Sequence, residues 1–146
     1  MLKTKLFNQL LVILLLANST AKADEADSRV LVSIPEESLQ LMRQDMIGLI
    51  SALAEIMQSL STGDFKIAAE IAETRMGRSA MGKHRGTGMG PGRFMPPPMR
   101  NIAWGLHDSA SEFAEVAIKG DAKQTYTALN KVISHCAACH NTYRTK

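Results

Sequence analysis

Residues 33–64 read "SIPEESLQLMRQDMIGLISALAEIMQSLSTGD". Leu39, Met42, Met46, Leu49, Leu53, Ile56 and Leu60 recur at intervals of three and four, a spacing that gathers side chains on one face of an α-helix and on no face of a strand. Ser33-Ile34-Pro35-Glu36 supplies the start: the Ser33 hydroxyl can cap free amides, Glu36 can reach back, and Pro35 suits a first turn. Ser61-Thr62-Gly63 supplies the stop. The stretch predicts an amphipathic helix about 40 Å long.

The same period continues downstream. Asp64 can cap a second helix carrying Phe65, Ala68, Ile71 and Ala72 and running to about Met76. A third follows Pro98, with Ile102, Leu106, Ala110, Phe113 and Ala117 in step up to Gly120. A fourth opens at Asp121 and turns Ala122, Tyr126, Leu129, Ile133 and Cys136 toward one side. Gly63-Asp64-Phe65-Lys66 and Gly120-Asp121-Ala122-Lys123 are matching turn sequences. No segment alternates with period two. The predicted fold class is all-α, an antiparallel four-helix bundle over 33–146.

Between the two halves lies "MGRSAMGKHRGTGMGPGRFMPPPMRN", 76–101, with six glycines, four prolines, five methionines, six basic residues counting His84, and no acid. It is too long and too glycine-rich for an ordinary connector. Three readings stand: a basic loop whose methionines cover apolar edge, a docking surface for an acidic partner, or soft Cu(I) ligation by Met76, Met81, Met89, Met95 and Met99 with His84. His84 is expected to be exposed.

The N-terminus has Lys3 and Lys5, then the apolar run Leu10 to Ala17, then Ala21-Lys22-Ala23, the three parts of a cleavable secretory signal, 1–23. The run is eight residues, against about 20 for a membrane-spanning helix, so no permanent membrane anchor is expected. Residues 24–32 are a polar, flexible lead-in. The signal holds three of the 17 lysines and arginines and none of the 14 acids, so the mature chain is formally neutral. The basic pI near 9.0 belongs to the precursor and implies no nucleic-acid partner.

The only two cysteines stand in "HCAACH", 135–140. Cys136-Ala137-Ala138-Cys139-His140 in an exported chain reads as c-type haem attachment: cysteines three apart on a helical turn can each add to one haem vinyl group, and the next residue can put its imidazole on the iron. The rivals are a thioredoxin-like redox pair, a zinc site from His135, Cys136, Cys139 and His140, and a short structural disulfide. His135 reads as a surface residue.

The run "CAACHNTYR", Cys136 to Arg144, at the end of an expected four-helix bundle behind a signal peptide, and more loosely "LMRQDM" in the first helix, resemble the class II cytochromes c, the cytochrome c-prime and c-556 family. The resemblance implies one covalent haem c anchored by Cys136 and Cys139, His140 as proximal ligand, Arg144 on the proximal side, Arg43 near a haem propionate, and a first-helix residue facing the distal side. The distal residue separates two functions. A methionine there, Met46 on the helix seam or Met42 a turn before it, makes a six-coordinate, one-electron carrier serving redox partner proteins. An apolar residue leaves five-coordinate iron open to NO or CO, and counting four on from Arg43 lands on Ile47. The expectation is a periplasmic electron carrier, not an enzyme, with Met46 as sixth ligand. Gas binding is the alternative, and a homodimer through the first two helices, as in many relatives, is a further one. Trp104 and Phe113 are expected to pack around the haem or between helical hairpins, Tyr143 to pack or hydrogen-bond on the proximal side, His107 to be satisfied by its surroundings or to face solvent rather than to be a ligand, and Met57 to pack.

Overall fold

In a computed structural model the chain divides into two units, residues 1–30 and 31–146, and the structure describes residues 27–146. The expected signal peptide, 1–23, and residues 24–26 of the lead-in lie outside the described residues. In the described end of the first unit Arg29 Nη2 pairs with Asp27 Oδ2 at 2.7 Å.

The second unit is all-α, with four helices: α1 (Glu36–Ser61), α2 (Phe65–Arg75), α3 (Pro97–Ala117) and α4 (Ala122–Thr142). The lead-in is not wholly irregular: β1 (Val30–Val32) pairs with β2 (Tyr143–Thr145) in a two-stranded sheet. Strands of three residues are too short to show alternation, and their pairing joins opposite ends of the chain, so local pattern could not reveal them.

Helix boundaries follow the sequence reading within a residue or two, but the caps differ in chemistry. Pro35, not Ser33, is the N-cap of α1, with φ −54° and ψ 142° and no side-chain capping bond. Its carbonyl accepts the Leu39 amide at 2.8 Å. That extended proline begins the helix two residues beyond Ser33, which is then too far out to reach the first-turn amides. Glu36 turns to Arg43 Nη1 at 3.3 Å instead of reaching back. Asp64 is the N-cap of α2 without a side-chain bond to the helix; its Oδ2 accepts the Thr62 hydroxyl at 2.9 Å. At α4 the expected cap forms, Gln124 N donating to Asp121 Oδ1 at 2.8 Å. Gly63 (φ 80°) and Gly120 (φ 77°) end the preceding helices in the left-handed conformation, which costs glycine least.

One core joins all four helices. Ala52, Ile56 and Leu60 of α1, Ala68, Ala69 and Ala72 of α2, Met76, Leu106, Ala110, Phe113 and Ala117 of and before α3, and Ala128, Leu129 and Val132 of α4 bury together. α1 packs along α2, α2 along α3 and α3 along α4, whereas α1 and α4 are not an extensively packed pair. A second, smaller cluster holds Val32, Ile34, Leu39 and Met99, with Met42, Phe94, Met95, Cys139 and Tyr143 partly buried against it.

The inward face of α4 is displaced from the one expected. Thr125, Ala128, Leu129 and Val132 are buried, while Tyr126 and Ile133 are exposed. Thr125 can turn inward because its hydroxyl donates to the Asp121 carbonyl at 2.7 Å, which removes the cost of burying it.

The segment after α2 is knitted to α3. Glu73 accepts hydrogen bonds from the Ser111 hydroxyl and from Ser79 N at 3.1 Å. Arg78 N donates to Ser111 Oγ at 2.9 Å, and His107 Nδ1 lies 2.7 Å from the Met76 carbonyl oxygen. The hydrogen bond from Ser111 holds the Glu73 carboxyl below its ordinary value of 4.5, with Ser79 and the nearby Arg78 charge adding and partial burial opposing. A depressed carboxyl stabilises the fold when ionised, so its contribution is complete above pH 4.5 and is lost as pH falls through the lower folded-state value. Glu73→Gln should therefore lower Tm at pH 7 and flatten the acid side of the Tm profile; melts from pH 7 to 3 that coincide with wild type after a constant offset would refute this linkage.

Candidate functional site

The C-x-x-C-H run lies wholly inside α4, in its last turns. Cysteines three apart on a helix share a side, and here that side faces apolar surroundings. Cys136 is half-buried against the four-helix core, its thiol 3.7 Å from the Val132 carbonyl. Cys139 is half-buried against the second cluster. The pair thus bridges the two apolar regions. Burial pushes both thiols above their ordinary range, and at Cys139 the charge of Cys136 adds to it. Protonated thiols in apolar contact are poor nucleophiles on their own, which argues against a thioredoxin-like pair.

His140 is exposed on the last turn of α4, and Arg144 is half-buried on β2, four residues beyond it. Arg43 is exposed and already committed: it donates to Glu36 Oε1 at 3.3 Å and to the Lys146 carbonyl at 3.1 Å, tying α1 to the chain end. Met42 is half-buried in the cluster that contains Cys139. Met46 is 38 % exposed and Ile47 64 %, and neither belongs to either cluster. The seam that suggested Met46 carries a polar member at this level. Asp45, its side chain 20 % exposed, is held by Lys83 Nζ at 2.5 Å and His84 Nε2 at 3.1 Å.

Asp45 and His84 were missed by sequence reasoning. The available signal was an acid on α1 and a long loop containing basic residues but no acid, which must find its counter-charge on another element. His84 is accordingly half-buried on Asp45 rather than exposed. His135 is not a plain surface residue either. It is half-buried, its ring so close to Gly105 that a Cβ built there would lie 2.5 Å from His135 Cε1. His107 is satisfied as expected, and Met57 is exposed rather than packed. Phe113 is fully buried among the four helices, but Trp104 is 49 % exposed beneath the Arg100 guanidinium, 5.5 Å from the ring centre. Tyr143 packs on the Cys139 cluster.

The loop methionines divide instead of converging. Met76 is in the four-helix core, Met95 and Met99 are in the second cluster, and Met81 is exposed, an arrangement without the common point that Cu(I) ligation by all five would need. Among the described residues no group of three or more His, Cys, Asp or Glu side chains is placed to hold a metal ion. Among the described residues, the buried side-chain atoms Ser38 Oγ and Arg100 Nε have no hydrogen-bond partner. Each is next in sequence to a residue of the second cluster, Leu39 or Met99.

Comparison of the chain with protein-family models, curated proteins and solved structures finds no match. The chemistry of the site therefore rests on its own side chains: two neutral thiols on one face of a helix in apolar contact, an imidazole beside the second, and a thioether, Met42, in the same cluster. Its geometry depends on the close approach of α3 and α4 at Gly105. Gly105→Val should force the His135 ring aside, cost about 1–3 kcal/mol and lower Tm; a variant as stable as wild type would show that the contact does not constrain α4.

Proposed function

We propose that the chain is a periplasmic monohaem cytochrome of class II type, a one-electron carrier whose antiparallel four-helix bundle holds one haem c through Cys136 and Cys139, with His140 as proximal ligand. The observation that carries the reading is the C-x-x-C-H run within the closing helix, both sulfurs half-buried and bridging the two apolar clusters. The residues fit such a group. Its thioether anchors would come from two half-buried sulfurs on one side of α4, its apolar body has apolar walls on α1, the loop end and α4, and α1 and α4 are not packed tightly together. When bound, haem supplies an iron that cycles between two oxidation states at constant covalent structure. The chain's part is to fix orientation and limit water. Cys136 and Cys139 hold one edge to α4, His140 offers an imidazole nitrogen, and Met42, Met95 and Phe94 present low-dielectric surface beside Cys139.

The sixth position divides the carrier from the alternative. The seam favours Met46, whereas Met42 is the α1 thioether that packs on the same cluster as Cys139; either would favour an electron carrier for redox partner proteins. The exposure of Met46 supports the second reading, a five-coordinate haem protein that takes NO or CO as a small gas ligand. Neither reading involves a transformed substrate, so the protein is not an enzyme. Ile47, Ile50 and Met57 leave exposed apolar side chains on α1 that a homodimer would cover. No nucleic acid is expected. No described helix is long and apolar enough to cross a membrane, and export rests on the signal-like N-terminus.

Absorption spectra of protein produced with cytochrome c maturation, oxidised and reduced, with and without CO, separate the two readings. A low-spin spectrum indifferent to CO is expected for the carrier, and a high-spin spectrum that shifts on adding CO would replace it with gas binding. Met42→Leu and Met46→Leu then identify the ligand, since only the ligating position should convert the spectrum. Cys136→Ala and Cys139→Ala should each lose one thioether and bind haem weakly or not at all, and His140→Ala should lose the proximal bond. Full covalent haem in both cysteine variants would sink the attachment reading.

A further inference from the structure

We infer that Arg100 holds a haem propionate. The inference rests on the haem reading and concerns a residue that neither the motif nor the family resemblance singles out. Arg100 lies in the first turns of α3, directly after Met99, which is buried in the cluster that contains Cys139 and Tyr143. Five residues further, at Gly105, α3 meets His135, the residue before Cys136. The Arg100 backbone therefore runs along the part of α3 that packs beside the attachment sequence.

Its guanidinium is fixed and incompletely satisfied. Trp104, one turn on, lies under it at 5.5 Å, a stacking that sets the plane of the fork. Nε is buried and without a hydrogen-bond partner. A buried, unpaired donor on a charged group is costly, and a carboxylate is the acceptor that removes the cost most fully, through charge-assisted hydrogen bonds. The chain offers none nearby in sequence. The first turn of α3 has no acidic residue, 76–101 contains none, and Asp108, two turns along α3, pairs with Arg78 at 3.4 Å. Arg43, the arginine that the resemblance assigns to a propionate, is exposed and bound to Glu36 and the Lys146 carbonyl. Of the two, Arg100 is the one with a buried donor still to be met.

An acidic side chain of a partner protein could satisfy an exposed arginine, but Nε is buried and Arg100 follows directly on Met99 of the Cys139 cluster in sequence, which favours an acceptor bound within this chain. A cation against a propionate holds that carboxyl's pKa down and favours the reduced haem, whose net charge is one unit more negative. Arg100 is thus a binding residue that also tunes the potential.

The test measures the midpoint potential against pH on haem-loaded wild type, Arg100→Leu, Arg100→Gln and Arg100→Lys, after covalent haem and helix content have been checked for each. In Arg100→Leu the potential should fall, and its propionate-linked step should move to higher pH by about one unit. Arg100→Lys should fall between that variant and wild type, and Arg100→Gln supplies the uncharged comparison if the leucine variant does not load. A loaded wild type whose uncharged variant keeps the same potential–pH curve overturns the role of Arg100 and leaves the haem reading intact. An unchanged curve accompanied by weaker binding of a reductase only at low ionic strength would give Arg100 to a partner protein instead. Wild type that acquires no covalent haem overturns both.

Discussion

Phe113 is fully buried in the core that joins all four helices, a core half made of alanines: Ala52 on α1, Ala68, Ala69 and Ala72 on α2, Ala110 and Ala117 on α3, and Ala128 on α4. Small residues let helix axes approach, and the Phe113 ring, the largest fully buried side chain, fills space they leave together with Ile56, Leu60, Met76, Leu106, Leu129 and Val132. The consequence reaches the site. Leu129 and Val132 of α4 belong to this same core and Cys136 packs against it, so the packing of this core helps set the rotation of α4 and with it the direction of the Cys136 sulfur. Thr125, inward and bonded to the Asp121 carbonyl, fixes the same rotation from the start of the helix.

Order in the long connection comes from attachments at its start, middle and end as well as from the short turns of its own backbone. Glu73, Ser79, Ser111 and His107 fasten its beginning to α3, Asp45 takes Lys83 and His84 in the middle, and Phe94, Met95 and Met99 bury its end in the second cluster. A glycine-rich segment gains only short 3-10 turns, at Arg78–Ala80 and Pro91–Arg93, to offset its entropy, so these contacts add the rest of the stabilisation. Two of them also bear on the site: Asp45 precedes Met46, and the buried end of the loop forms one wall beside Cys139. The basic loop with methionines over apolar edge is therefore part of the site's surroundings, and three of its six basic residues, Arg78, Lys83 and His84, reach acidic partners on the helices.

The mixture of polar and apolar neighbours along α1 explains why the distal position resists a purely periodic argument. Residues three and four apart on a helix share a face only approximately, and drift of the stripe carries Met46 to its edge while Met42 stays with Leu39 in the second cluster. The same drift on α4 exposes Tyr126 and Ile133 and buries Val132. Small angular errors of this kind leave the existence of a helix untouched and change which side chain meets a ligand.

The sequence by itself determined the four helices, their glycine turns, the inward Phe113 and the placing of two cysteines and a histidine at the end of the last helix. These follow from local spacing, from left-handed turns that need glycine, and from a motif whose chemistry is contained in five consecutive residues. Only the tertiary structure decided what depends on partners distant in sequence: the β1–β2 pairing of the chain ends, Asp45 with His84, His135 against Gly105, Met42 rather than Met46 beside Cys139, and the unmet donor on Arg100. Contacts between residues tens of positions apart leave no periodic trace in either segment, because each side chain answers to a neighbour that the local pattern does not contain.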